Sequence, residues 1–297
     1  MHIAILLWGF TGILGKAITL GFEHIVWYRM LFSSMSLLLV LLINRQFKLL
    51  QWKAFLKISL IGIIVTIHWI LFYAAIKVSN VSITLSCFSS ITLFTAIIEP
   101  IINKKRIDKM ELFFALLIMI GIYIIFAFQK IYVLGIALAL LSAFFGSIFT
   151  IYNKRFLDHY DAGVITFYEL FTGFVFLSML LPFYLSYTNM PFELPEGNNL
   201  IYLLLLSIVC TTVAFTISLI ALKKLSAFIM NLSVNLEPVY SIVLAIIIFN
   251  EDKFLNTGFY VGTAIIVTAV VLHGLHQRSL YLKNKVLLAN EKVNLQL

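Results

Sequence analysis

Apolar stretches of about twenty residues alternate along the chain with short polar or charged breaks, the spacing a helix needs to cross a hydrocarbon core roughly 30 Å thick. Ten such runs stand out, near residues 3–21, 25–43, 54–76, 81–102, 110–128, 132–152, 162–186, 199–221, 227–249 and 257–275. The pattern predicts an all-α integral membrane protein with ten transmembrane helices and no separate soluble domain. The longest polar connection, residues 186–199, holds two prolines and two glutamates but no Lys or Arg. The apolar segment that opens the chain after Met1 and His2 has no basic leader and no small-residue cleavage site, so it is expected to be a retained span.

Two pairs of runs resemble each other across the halves. VWYRMLFSSMSLLLVLLI from Val26 resembles TFYELFTGFVFLSMLLPF from Thr166, setting Trp27, Tyr28 and Arg29 against Phe167, Tyr168 and Glu169. AIKVSNVSITLSCFSSITLFTAII from Ala75 aligns with ALKKLSAFIMNLSVNLEPVYSIVL from Ala221, setting Thr92 against Pro238 and Thr95 against Ser241. The matched spans come in the same order, which divides the chain into two five-helix repeats, residues 1–130 and 131–276, followed by a cytoplasmic tail, 277–297. Because five is odd, the second unit enters the membrane from the opposite side, and the repeat is inverted. Two halves related in this way can rock around a central site, an arrangement used by transporters.

Composition sharpens this reading. Hydrophobic residues make up 62% of the chain and charged residues 11%, against roughly 25% charged in a soluble domain. Ten spans put both termini on one side. Sixteen of the 21 Lys and Arg then fall on that side, in segments 45–57, 104–109, 154–155, 223–224 and 278–292, and Lys16, Arg29, Lys77, Lys130 and Lys253 fall on the other. This skew places both termini in the cytoplasm. The net charge of +8 is explained by topology, with the lipid bilayer as partner and no nucleic acid. Cys87 and Cys210 lie inside apolar runs and read as packing thiols.

Polar groups inside the spans carry the candidate chemistry. Glu237 lies ten residues into the ninth span, about 15 Å deep at the helical rise. An ionised group there costs on the order of 2.5–3.5 kcal/mol. Pro238 removes a backbone donor and frees the Val234 carbonyl. Asn231 and Asn235 share one helical face, while Ser233, Glu237 and Tyr240 fall on another. One face is expected to line a cavity and the other to meet a neighbouring helix. Two readings of Glu237 stand: an acceptor for a proton or a substrate amine, or a neutral carboxyl donating a structural hydrogen bond.

Lys16, Arg29 and His68 reach comparable depth in the periplasmic half, where together they would favour a substrate carboxylate. The alternative is that Glu23 neutralises one of them and Lys16 snorkels to the interface. Lys154 and Glu169, the second-half counterparts of Lys16 and Arg29, would pair as a gate or as a structural link. Trp8 and Tyr28 flank the cavity or anchor the span ends. Glu99 is expected to pair with the adjoining NKKR cluster.

The ten-span count, the opening WGFTGILGK from Trp8, the WYR of the second span and LEPVYSIVLAIIIFNED of the ninth resemble EamA-type members of the drug/metabolite transporter superfamily. The resemblance implies a multi-pass carrier of the bacterial inner membrane. Its central cavity would take a small-molecule substrate such as an amino acid, often moved outward. Thr92 stands where the second half has Pro238, which leaves open whether both halves break alike.

No G-x-x-x-x-G-K-[ST] loop, H-E-x-x-H or G-x-S-x-G motif occurs, so neither an ATP-driven engine, a zinc protease nor a hydrolase is indicated, and no cofactor or metal is expected. The reading is a secondary transporter, not an enzyme. The alternatives are a membrane-embedded enzyme acting on a lipid-linked substrate, or a scaffold subunit. Association into a homodimer is left open.

Overall fold

The computed structural model describes residues 1–128, 132–250 and 256–294, all of whose regular structure is helical. Lys130 and Lys253 lie outside the described residues. The helices are α1 (His2–Ala17), α2 (Phe22–Ile43), α3 (Trp52–Val78), α4 (Val81–Phe88), α5 (Ile91–Asn103), α6 (Lys109–Phe128), α7 (Val133–Phe156), α8 (Ala162–Thr188) and α9 (Asn198–Leu204). A π-helical stretch, Leu205–Val213, joins α9 to α10 (Ala214–Leu222). Then follow α11 (Ala227–Val234), α12 (Glu237–Phe249) and α13 (Thr257–Asn294).

Among the described residues, seven helices are long and apolar enough to cross a membrane, taking Val81–Asn103 and Asn198–Leu222 as single spans. Of the other three expected spans, α1 has 16 residues, α6 adjoins residues outside the described set, and the ninth run is divided between α11 with 8 residues and α12 with 13. The helices are apolar on all sides: Leu39, Leu60, Phe183 and Ile247 are exposed, while Ile25, Met30 and Tyr73 are fully buried. Helix α13 continues past the expected end near 275, because no Gly or Pro follows Gly274 to stop it.

The fourth and ninth apolar runs are each broken, in the same place. The bounds of α4 and α5 recur in α11 and α12 at one displacement of 146 residues: 81 to 227, 88 to 234, 91 to 237 and 103 to 249. The register that sets Ala75 against Ala221 has this displacement. The caps repeat with it. Asn80 accepts at Oδ1 from the Ile83 amide at 2.8 Å, and Ser226 at Oγ from the Ile229 amide at 3.1 Å. Lys104 and Asn250 end α5 and α12 with left-handed φ of 53° and 52°.

At the breaks the chain tightens from i−4 to i−3 hydrogen bonds. Ser89 and Ser90 donate to Ser86 and Cys87, and Asn235 and Leu236 donate to Leu232 and Ser233. Both runs therefore break alike, although only the second has a proline at the break. Pro238 sits in the first turn of α12, where its missing donor costs nothing. In the first half the paired serines supply the competing local conformation.

The ends of the bundle differ. At the basic end, Lys48 Nζ and Asp161 Oδ2 pair at 2.8 Å, tying the α2–α3 connection to the start of α8. That bond holds the Asp161 carboxyl below its usual range. Its contribution is present above the ordinary carboxylate range and is lost as pH falls through the lowered value. At this exposure it is worth at most about 1 kcal/mol.

At the opposite end the α8–α9 connection lies as a strap across α2. Tyr28 donates to the Glu193 carbonyl at 3.0 Å, and the Glu193 amide donates to His24 Nε2 at 3.2 Å. Accepting at Nε2 leaves the His24 Nδ1 proton for Glu23 Oε1, at 3.1 Å. Phe192 packs on His24, Trp27 and Tyr28.

Candidate functional site

The helices leave a cavity at the centre of the bundle, into which Trp8, Arg29, His68, Asn231 and Glu237 project. Its empty space is about 720 Å³ including the open side, of which about 80 Å³ can be reached by the centre of a water molecule. That is room for several waters. Trp69, Phe72, Phe88, Phe149 and Phe215 form an aromatic part of the wall, and Ile91, Leu219, Leu222, Met230 and Val234 an aliphatic part.

Arg29 is held on three sides. Its Nε donates to Thr211 Oγ1 at 2.7 Å and its Nη1 to the Tyr73 hydroxyl at 2.8 Å. The guanidinium carbon lies 3.8 Å from the Trp69 ring centroid, a cation–π contact. A guanidinium has five N–H groups in a fixed fork, so these contacts fix its plane, and Nη2 has no hydrogen-bond partner among the described residues. Thr211 lies on the π-helical stretch, where its hydroxyl donates to the Leu206 carbonyl five residues back, at 2.8 Å. With its proton so placed, Thr211 Oγ1 presents a lone pair to Arg29. Ser33 Oγ donates to the Ser207 carbonyl at 2.9 Å and Ser36 meets Thr212 at 2.7 Å, so α2 is laced along the same stretch.

Glu237 stands in the first turn of α12, where the helix dipole favours negative charge. It is 5% exposed. Its carboxyl has no hydrogen-bond partner among the described residues, and Arg29 is the charged group that acts on it. The cavity thus presents a cation and a carboxyl that are not spent on each other.

His68 is fixed by Ser142: its Nδ1 lies 2.9 Å from the Ser142 carbonyl, and the Ser142 hydroxyl donates to the His68 carbonyl at 2.9 Å. Nε2 is the ring nitrogen left for the cavity. The Asn231 amide donates to Thr95 Oγ1 at 2.7 Å.

The other expected site residues lie elsewhere. Lys16 is above the Phe249 ring, 4.5 Å from its centroid, so of the three expected basic groups Arg29 and His68 line the cavity and Lys16 does not. Glu23 is engaged with His24 and neutralises neither Lys16 nor Arg29 by contact. Tyr28 serves the strap. Asn235, at the α11–α12 break, donates to Thr92 Oγ1 at 2.6 Å, so the asparagine face meets α5. Tyr240 is 40% exposed.

Lys154 and Glu169 are not brought together. Lys154 Nζ donates to the Leu222 and Lys223 carbonyls, both at 2.8 Å, because the last carbonyls of α10 lack helical partners and attract a cation. Glu169 meets Asn153 instead. Glu99 likewise forms no ion pair with its neighbouring basic cluster among the described residues. Its carboxylate accepts from the Phe228 amide at 2.9 Å, at the start of α11.

Trp69, Tyr73 and Thr211 escape a reading of the sequence. Tyr73 and Thr211 look like ordinary span residues until folding sets them against a charge 44 and 182 positions away.

A model of the EamA-like transporter family matches residues 1–127 and 133–275. An uncharacterised transporter of Clostridium kluyveri is 26% identical over 226 residues, which covers 73% of this chain and 71% of the relative. A solved structure, titled only as the crystal structure of a protein, superposes with a TM-score of 0.69 at 17% identity, covering 94% of this chain and 96% of that one. This last likeness concerns the fold alone. The family match and the relative point to a multi-pass membrane transporter rather than an enzyme.

Proposed function

The chain belongs to the EamA-like transporter family, and from that premise we propose that it is a secondary carrier, working as an exporter of small zwitterionic metabolites of the amino-acid kind across the bacterial inner membrane. One observation carries the substrate class: the Arg29 guanidinium and the Glu237 carboxyl, which has no hydrogen-bond partner among the described residues, project into one partly open cavity lined in part by aromatic rings. A fork with Nη2 unengaged among the described residues suits a carboxylate, and a buried carboxylate with no protein donor suits an ammonium. A zwitterion satisfies both groups at once, and neither then remains desolvated and unpaired.

In this reading the ten apolar runs are ten spans, arranged as two inverted five-helix repeats, residues 1–130 and 131–276, with both termini cytoplasmic. The common displacement of the two broken helices supports the repeat. Broken helices near the midplane place loose backbone where it can face a cavity, as carriers of this build require. Rocking of the halves around the cavity would expose it to each side in turn. Export follows from the resemblance to outward carriers.

The test compares small molecules in medium and cell for cells expressing the wild type, Glu237→Gln or no protein, at matched membrane levels. The expected outcome is one class of zwitterion depleted from cells by the wild type and retained by the variant. Equal profiles from wild type and variant would remove Glu237 from substrate binding.

A further inference from the structure

Next to the cavity on the side of the basic end, Asn153 of α7 and Glu169 of α8 form a pair that the substrate site does not use. Both are 0% exposed. Asn153 Nδ2 donates to Glu169 Oε2 at 3.3 Å. The remaining atom of each side chain, Glu169 Oε1 and Asn153 Oδ1, has no partner among the described residues.

If Glu169 is ionised, both stranded atoms are acceptors and neither can serve the other. A single proton removes both defects. With Oε1 protonated, its O–H donates to Asn153 Oδ1 while Nδ2 donates to Oε2, closing a cyclic acid–amide pair with every polar atom satisfied. An unpaired buried carboxylate is strongly disfavoured, and no cation is at hand to offset it.

Among the described residues, the charged groups on the surrounding helices are engaged elsewhere or exposed, Lys77 of α3 donating to the Ile18 carbonyl and Glu23 of α2 meeting His24. Lys154 and Arg155 of α7 donate to carbonyls at 222–223 and to Ile102 and Asn103. On α2, Arg29 holds Thr211 and Tyr73. On α3, His68 holds Ser142, and Lys53 and Lys57 are exposed. The Tyr168 hydroxyl on α8 donates to the Lys48 carbonyl, and Glu99 of α5 accepts from Phe228. Helices α4, α10 and α11 carry no charged residue.

We propose that Asn153 and Glu169 form a buried proton-binding site, occupied in this conformer, and that its proton is the one exchanged during transport. The site is placed for that role. Thr150, three residues before Asn153 on α7, lines the cavity, so the pair lies one helical turn from the substrate path. When Glu169 releases its proton to water, the O–H donor to Asn153 vanishes, and a carboxylate remains against an amide oxygen with no counter-charge. The pair then favours parting of the two side chains or entry of water between them, which ties protonation to the bridge between α7 and α8, two helices that both pack on α3 beside the cavity. Glu237 and Glu169 thereby take different tasks: one faces the substrate, the other holds the proton. The exchange step rests on the carrier reading, whereas the protonation does not.

The experiment has two arms. Infrared spectra of the purified full chain in lipid nanodiscs at neutral pH would be recorded for the wild type, Glu169→Gln and Glu237→Gln. Gln at 169 preserves the cyclic pair as amide with amide, so the variant is expected to fold and to melt at the wild-type temperature. A protonated-carboxyl C=O band should be present in the wild type, be lost or reduced in Glu169→Gln, and keep the Glu169 component in Glu237→Gln. A band unchanged by Glu169→Gln would show Glu169 ionised and overturn the proposal.

In the second arm, proteoliposomes with an imposed pH gradient would be offered a mixture of isotopically labelled amino acids. The wild type should accumulate label, and Glu169→Gln should lose accumulation while still exchanging labelled for unlabelled substrate. Gradient-driven accumulation by Glu169→Gln equal to wild type would overturn the exchange step. If the wild type moved no label, the amino-acid carrier reading and the exchange step would fall together, and the infrared result would stand on its own.

Discussion

Arg29 shows how a residue becomes legible and how its chemistry does not. A charge inside an apolar run is conspicuous, because the bilayer tolerates it only with a partner or a purpose. Which partner it has is decided by helices that meet only after folding. Its Nε and Nη1 are spent on Thr211 and Tyr73 and its face on Trp69, all geometric demands that an ammonium cannot meet. Arg29→Lys is therefore expected to keep the charge yet lose a hydrogen bond to a charged group, worth about 1.5–3 kcal/mol. Substrate affinity should fall roughly 10- to 100-fold, as read from transport against concentration in proteoliposomes. Unaltered affinity would show that charge alone suffices. Glu237 and His68 were legible for the same reason as Arg29, whereas Lys16 was equally conspicuous and proved to lie over Phe249 outside the cavity.

Among the elements, the paired breaks matter most. The α11–α12 break announces itself through Asn235, Glu237 and Pro238, but the α4–α5 break rests on Ser89 and Ser90, and serines in a span commonly serve only close packing. The two broken helices are laced where they cross, by Asn231 to Thr95 and Asn235 to Thr92.

Helix spacing has its own determinant beside the proton site. A Cβ added to Gly62 of α3 would come within 2.5 Å of the Glu169 carbonyl oxygen and 2.9 Å of its Cα. Alanine normally improves a helix over glycine by roughly 0.5–1 kcal/mol, but here the obstacle is backbone and cannot rotate away. Gly62→Ala is expected to destabilise the protein by about 1–3 kcal/mol, the usual cost of overpacking, seen as a lower melting temperature of the purified protein. A higher melting temperature would mean that α3 and α8 have room to separate.

For the whole molecule, an even number of spans predicts that reporter tags placed before Met1 and after Leu297 lie on the same side, and the positive-inside skew makes that side the cytoplasm. Tags found on opposite sides would leave an odd number of spans and break the proposed pairing of the repeats. At the other end, the strap of residues 189–197 is held to α2 through backbone groups of Glu193 and the ring of Phe192. Its polar, proline-bearing composition marks it as a connection but does not say where it lies.

The membrane-embedded helical class, the approximate apolar helices, the register of the two broken helices and the presence of buried charge were legible in the sequence alone. Each follows from a local rule: about twenty apolar residues cross the core, and local similarity needs no folded structure to be seen. Only the tertiary structure decided that Arg29 is clamped by Tyr73 and Thr211, that Glu237 faces it without a bond, that Lys154 turns to the end of α10, and that Glu169 closes with Asn153. Those pairings depend on the rotation of each helix about its own axis. In a span apolar on every side, hydrophobicity leaves that rotation undetermined, and it is set by the close packing and hydrogen bonds between helices that fold against one another.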